Sequence, residues 1–226
     1  MQLSNTLVMY FKVIVRVFLF SIIFRTALFS QESYHHIHED QFYKKGLEFF
    51  NKENYGVARE CFQQAYDNYS RQNSVLKVNA QYYTALCAIR LFNEDAEYLT
   101  ILFVNENPEH PFVNNALFNI AGYFYAKKKY NKALEYYNKT DKGTLNKKEL
   151  AECNFKTGYS YFIKKDLENA RLSFSEIKDL DTRYTAPAIY YYSHINYSQE
   201  NYQTALNGFL KLTKDETFSP IVPYYI

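Results

Sequence analysis

The densest cluster of potentially reactive side chains is His35-His36-Ile37-His38-Glu39, three imidazoles and a carboxylate in five consecutive positions. Imidazole nitrogens and carboxylate oxygens ligate zinc or copper, so a tract of this kind is a metal-site candidate. It also lies near the start of the chain, where segments are usually mobile, and the competing reading is a polar leader over residues 31–38. The leader is the reading adopted, and no metal is assigned. His110 and His194 stand alone. Cys61, Cys87 and Cys153 are too far apart for a paired metal motif, and their odd number argues against a disulfide framework. They fit small buried helix residues, with one disulfide pair left open. Glycine-rich phosphate loops, nucleophile elbows and Cys-x-x-Cys pairs are missing, and Gly122, Gly143 and Gly208 are isolated. The sequence thus offers no catalytic residue and no cofactor site, and the expectation is a protein that is not an enzyme.

Composition narrows the fold class. With 24 Tyr and 19 Phe but only 6 Gly and 5 Pro, the chain has little of the turn chemistry that many short strands require. Its 26 basic and 24 acidic residues leave a formal net charge of +2, too little for the electrostatic footprint of a nucleic-acid binder. The one basic run, Lys127-Lys128-Lys129, falls where a helix ends and complements its dipole.

Residues 1–30 read as an export signal. Lys12 and Arg16 precede the apolar run from Val17 to Phe24, and Ala27-Leu28-Phe29-Ser30 supplies small residues for cleavage. A membrane-spanning helix needs about 20 apolar residues. The window of residues 7–24 contains both Lys12 and Arg16, so an uncleaved inner-membrane anchor is the second reading, kept open by Arg25. The expectation is an exported protein, periplasmic or outer-membrane-associated, touching a membrane only through this segment if it is retained.

Beyond residue 38 the chain repeats. Phe42, Gly46, Phe49, Tyr55, Ala58, Phe62 and Ala65 occupy positions 4, 8, 11, 17, 20, 24 and 27 of a unit beginning at Glu39. The same frame recurs from about 77, 114, 151 and 186, at offsets of 38, 37, 37 and 35 residues. Position 8 is small or nearly so (Gly46, Thr84, Ala121, Gly158, Ser193), and position 20 is alanine in every unit (Ala58, Ala96, Ala133, Ala170, Ala205). Small residues facing alanines let two antiparallel helices approach within the usual ~8–10 Å. Position 24 fills the gap to the next hairpin with Phe62, Thr100, Tyr137, Phe174 and Phe209. Asn146-Lys147-Lys148-Glu149 is a capping-box pattern opening the fourth unit, and Pro111, Pro187 and Pro220 sit at or near helix first turns. Thr84, Asn93 and Thr100 depart from the pattern, leaving the second unit's register open by a residue or more.

This spacing resembles the tetratricopeptide repeat, most closely in Gly46–Tyr55–Ala58–Phe62–Ala65, Ala121–Tyr130–Ala133–Tyr137 and Gly158–Tyr161–Ala170–Phe174. The resemblance covers residues 39 to about 217. It implies an all-α, right-handed superhelical solenoid of about five helical hairpins over residues 39–226. It also implies a concave groove lined by first-helix positions 2, 5, 9, 12 and 13. Carried across, the groove set is Tyr43, Phe50, Phe118, Tyr125, Phe155, Tyr159, Phe162, Tyr190, His194 and Tyr197. Family members that clamp a terminal carboxylate use Lys at position 5 and Asn at position 9; no unit here has either, so the implied groove is aromatic. The alternative is that these rings pack between neighbouring first helices.

The resemblance implies a protein or peptide partner. The overall texture is similar to the N-terminal part of long exported tetratricopeptide proteins of the Bacteroidota type, which implies a cell-envelope scaffold. An outer-membrane assembly factor and a recruitment module of a longer protein are the alternatives. Residues 219–226 read as an N-cap and the apolar opening of an incomplete sixth unit, equivalent to Thr185–Tyr191 one unit earlier. That reading predicts a truncated array whose uncapped end can self-associate.

Overall fold

The computed structural model describes residues 41–69 and 75–226. The signal or anchor, the polar leader and the histidine tract fall on residues 1–40 and lie outside the described residues. Among the described residues all regular structure is helical, as the composition and spacing predict. The helices are α1 (residues 41–51), α2 (Tyr55–Asn68), α3 (Val75–Arg90), α4 (Ala96–Glu106), α5 (Val113–Ala126), α6 (Tyr130–Lys139), α7 (Lys147–Ile163), α8 (Leu167–Ser175), α9 (Thr185–Ser198) and α10 (Tyr202–Leu210). They follow one another as five hairpins. The chain divides into two compact units, one up to Thr84 and one from Ala85 to Ile226, and α3 contributes to both.

Each hairpin crosses where the repeat places its small residues. All five position-8 residues are buried, and the position-20 alanines have essentially no exposed surface. The position-24 residues Phe62, Thr100, Tyr137, Phe174 and Phe209 are each 0 % exposed. In the first unit a Cβ on Gly46 would lie 2.6 Å from the Phe62 ring, which is why no larger residue fits there. Gly158 meets Phe174 in the same way at 3.0 Å. Burying one such phenylalanine contributes roughly 1.5–3 kcal/mol.

The turn inside each hairpin is built one way five times. Glu53, Phe92, Lys128, Lys165 and Glu200 adopt left-handed backbone with φ of 57°, 56°, 58°, 64° and 64°. Each donates its N–H three residues back, and the next residue donates five back: Glu53 to Phe50 and Asn54 to Phe49, then Lys165 to Phe162 and Asp166 to Tyr161. Phe92, Lys128 and Glu200 with their successors repeat the pair of bonds. This is the Schellman ending, which satisfies the last carbonyls of a helix. Glycine normally fills it, and a residue with a Cβ costs about 1–2 kcal/mol there. In the second hairpin the left-handed residue is Phe92, four residues before Ala96, whereas in the others it stands five before the alanine. That one-residue slip in the turn accounts for Asn93 falling where the other units start their second helix.

The second unit of the fold has three successive hairpins packed in order, α5 on α6, α7 on α8 and α9 on α10, with α6 against α7 and α8 against α9. The predicted capping box is present: Asn146 accepts from the N–H groups of Lys148 and Glu149, and the Glu149 carboxylate accepts from the Asn146 N–H. Cys87 and Cys153 are buried and Cys61 is half-buried; burial pushes the Cys153 thiol up to about 11. Residues 222–224, expected to open a sixth first helix, form a 3-10 turn instead. Pro223 stands where a helix would need a backbone N–H.

Candidate functional site: an aromatic first-helix face

The groove set predicted from the sequence lies on the first helices α1, α5, α7 and α9. Of its ten residues only Tyr197 is exposed, at 41 %; Tyr43 is buried and the rest are half-buried. Most of these rings therefore show an edge to solvent and spend the remainder on neighbouring rings. The reading in which they pack between first helices describes much of their surface.

The packing follows one motif. In the fourth hairpin, positions 5, 9, 12 and 24 are Phe155, Tyr159, Phe162 and Phe174. They surround Tyr191 from the next first helix at centroid distances of 6.2, 5.5, 5.2 and 5.3 Å. Tyr191 stacks on Phe174 at an interplanar angle of 16° and meets Tyr159 and Phe162 edge-on. Offset-stacked and edge-to-face pairs are the favoured aromatic geometries, each contributing about 0.5–1.5 kcal/mol beyond area burial. The first unit of the fold repeats this: Tyr83 stacks on Phe62 at 4.9 Å and 16°, with Phe50 edge-on at 5.4 Å and Tyr43 at 6.1 Å. Tyr83 and Tyr191 are absent from the predicted set because they stand at positions 7 and 6 of their units, equivalent once the second unit's one-residue slip is allowed for, and the groove assignment leaves both out. The hydrophobic pattern alone marks them.

The third hairpin differs. The residue equivalent to Tyr191 is Lys156, whose ammonium lies 5.5 Å above the Tyr125 ring and pairs with Glu152 at 2.5 Å. Phe118 reaches Tyr137 at 6.2 Å, and the buried Tyr137 hydroxyl has no hydrogen-bond partner. A Cβ on Gly122 would lie 3.7 Å from that hydroxyl and 3.8 Å from the Lys156 ammonium. The hydroxyl is sealed from solvent and the ammonium is already held by the Glu152 carboxylate.

From Tyr125 a continuous series of ring contacts runs through Tyr159, Tyr191, Phe162, His194, Tyr225 and Tyr197 to Tyr202, every step between 5.2 and 5.9 Å. Burial raises the hydroxyls of Tyr125, Tyr137 and Tyr191 above the ordinary tyrosine value, and burial with the nearby Tyr225 takes Tyr190 up to about 12. These phenols stay protonated and neutral at any physiological pH. Burial holds the His194 imidazole below its ordinary value.

Residues 43–97 match the tetratricopeptide repeat family model. No curated protein sequence matches the chain. Among solved structures, MamA AMB-1 aligns with a TM-score of 0.64 at 14 % identity, over 80 % of this chain and 93 % of that one. Pseudomonas aeruginosa pilF aligns at 0.57 with 15 % identity, over 84 % and 90 %. The nearly identical TPR-like repeats of a putative kinesin light chain from Podosopora anserina align at 0.55 with 13 % identity, over 79 % and 96 %. The described residues thus have the fold of a tetratricopeptide array.

Proposed function

We propose that the chain is a non-enzymatic scaffold of the cell envelope that binds a partner protein or peptide on its aromatic first-helix face. The observation that carries this reading is the unbroken series of ring contacts from Tyr125 to Tyr202, half-buried over most of its length and exposed at Tyr197 and Tyr202. Tyrosine and phenylalanine offer large contact area at low entropy cost, and such rings dominate binding hot spots. Export and an envelope location rest on the expected signal in residues 1–30.

The test compares partner capture from envelope extract by the parent chain with capture by Tyr197→Ser and Tyr159→Ser/Tyr197→Ser. Tyr159 touches Tyr125, Tyr130, Phe155 and Tyr191, so its loss also removes packing; Tyr197, more exposed, is the cleaner probe. Both variants are expected to keep helical circular dichroism and to lose the partner. Undiminished capture by a folded double variant counts against the face.

A further inference from the structure

Residues 218–225 dock on the fifth hairpin as the start of α9 docks on the fourth. Phe218, Val222 and Tyr225 each stand 34 residues after Tyr184, Ala188 and Tyr191. Phe218 stacks on Tyr190 at 4.8 Å and 20°, as Tyr184 stacks on Phe155 at 5.1 Å and 30°. Tyr225 stacks on Phe209 at 4.7 Å and 19°, as Tyr191 stacks on Phe174 at 5.3 Å and 16°. Its edge contacts to His194 (5.8 Å) and Tyr197 (5.4 Å) reproduce those of Tyr191 to Tyr159 (5.5 Å) and Phe162 (5.2 Å). Val222 and Ala188 are both 0 % exposed, each in the core of the hairpin it covers. Two different backbones, a helix and a 3-10 turn, thus deliver an aromatic ring, a small aliphatic side chain and a tyrosine to equivalent faces of successive hairpins.

We infer that the fifth hairpin is a docking face for a helical segment with an aromatic residue, a small aliphatic residue four positions later and a tyrosine three beyond that. Residues 218–225 are its built-in, displaceable occupant. Spacings of four and three put all three side chains on one face of a helix. The inference rests on the partner-binding reading and names the chemistry of the partner segment. The strap is held by those three side chains and by the Asp215 carboxylate, which accepts from the Thr217 and Phe218 N–H groups. Its remaining residues face solvent, with Tyr224 86 % exposed and Ile221 exposed beside it. Three of the predicted groove residues, Tyr190, His194 and Tyr197, lie beneath this strap. A segment of the same pattern takes over these contacts only by displacing the strap, whereas Tyr197, 41 % exposed with the strap in place, stays open to a partner.

The chain contains no tryptophan, so a synthetic peptide of residues 181–194 carrying Tyr184→Trp reports its own binding by fluorescence. It is titrated against the full chain and against Phe218→Ser/Tyr225→Ser. Saturable binding to both is expected, tighter in the variant by the reciprocal of the fraction of chains whose strap is lifted. The same peptide with Ala188→Asp should bind neither. Because the double substitution uncovers Phe209, a second measurement leaves the chain unaltered. Excess peptide should accelerate chymotryptic cleavage after Phe218 and Tyr225, read by mass spectrometry, and the Ala188→Asp peptide should not. No saturable binding, equal affinity for parent and folded variant, or cleavage unmoved by peptide overturns the inference. Any of these would leave partner capture through Tyr197 standing or falling on its own test.

Discussion

The third and fourth hairpins share a backbone plan and close it with opposite chemistry. Over the fourth, Tyr191 drops into a ring of four aromatics and stacks on Phe174. Over the third, the equivalent Lys156 lies on the Tyr125 ring, held by Glu152, and leaves the Tyr137 hydroxyl buried without a partner. The fifth hairpin follows the fourth, with the strap in place of a helix. One closure gains its energy from ring packing. The other sets an ion-paired ammonium and a buried hydroxyl at ordinary contact distance around Gly122. The repeat therefore fixes where a closure occurs, and single residues decide whether it is made of stacked rings or of a cation on a ring.

The sharpest way to break this distinction is Phe174→Ala. Phe174 is fully buried and touches both Phe155 and Tyr191, so its removal takes away the centre of the aromatic closure. Urea denaturation is expected to show a loss of about 3–5 kcal/mol, the usual range for a buried phenylalanine. A loss below about 1 kcal/mol would mean that the fourth hairpin does not depend on its ring cluster.

The skeleton of that comparison was legible before any coordinates. Alanine at position 20 in five frames located every hairpin crossing, because a close helix approach tolerates little else; Ala58 to Ala205 are buried as that argument requires. The capping box at Asn146 was equally plain, since its chemistry is local. The turns were not, because their left-handed residues are Glu, Phe and Lys in place of the glycine that signals a Schellman ending. The second unit's slip, hidden in such a turn, could not be read from Asn93 alone. Tyr191 and Tyr225 were missed for another reason. Their partners come from the preceding hairpin, so their role depends on tertiary packing that no single repeat encodes. The predicted groove residues share rings with neighbouring helices, as the alternative reading of the sequence has it.

Tyr137→Phe sharpens the polar side of the comparison. A buried hydroxyl without a partner costs about 1–3 kcal/mol, so the variant should match the parent or exceed it by about 1 kcal/mol in urea denaturation. The Phe174→Tyr substitution in the fourth hairpin should move stability the other way, because it buries an oxygen against a stacked ring. If Tyr137→Phe destabilises the chain instead, the hydroxyl has a partner in solution and the third closure is better satisfied than it stands here.

The smallest expected effect separates the fourth and fifth hairpins, where Tyr159 and His194 hold the same position beneath Tyr191 and Tyr225. Burial lowers the His194 value below about 6.5, and its Nδ1 is buried without a partner. As pH falls, the unfolded chain takes up this proton before the folded one does. The stability that His194 contributes as a neutral ring is therefore complete above about pH 6.5 and lost as pH drops through the lower folded value. Burial lowers His110 as well, so among the described residues the parent carries two such contributions. The His194→Tyr variant copies the fourth hairpin and removes one of them. Its urea midpoint should decline less than the parent's between about pH 7.5 and about pH 5.5, with the His110 share remaining. Identical declines in the two proteins would show that the ring beneath Tyr225 is already free to protonate, and that the strap closes the fifth hairpin less tightly than α9 closes the fourth.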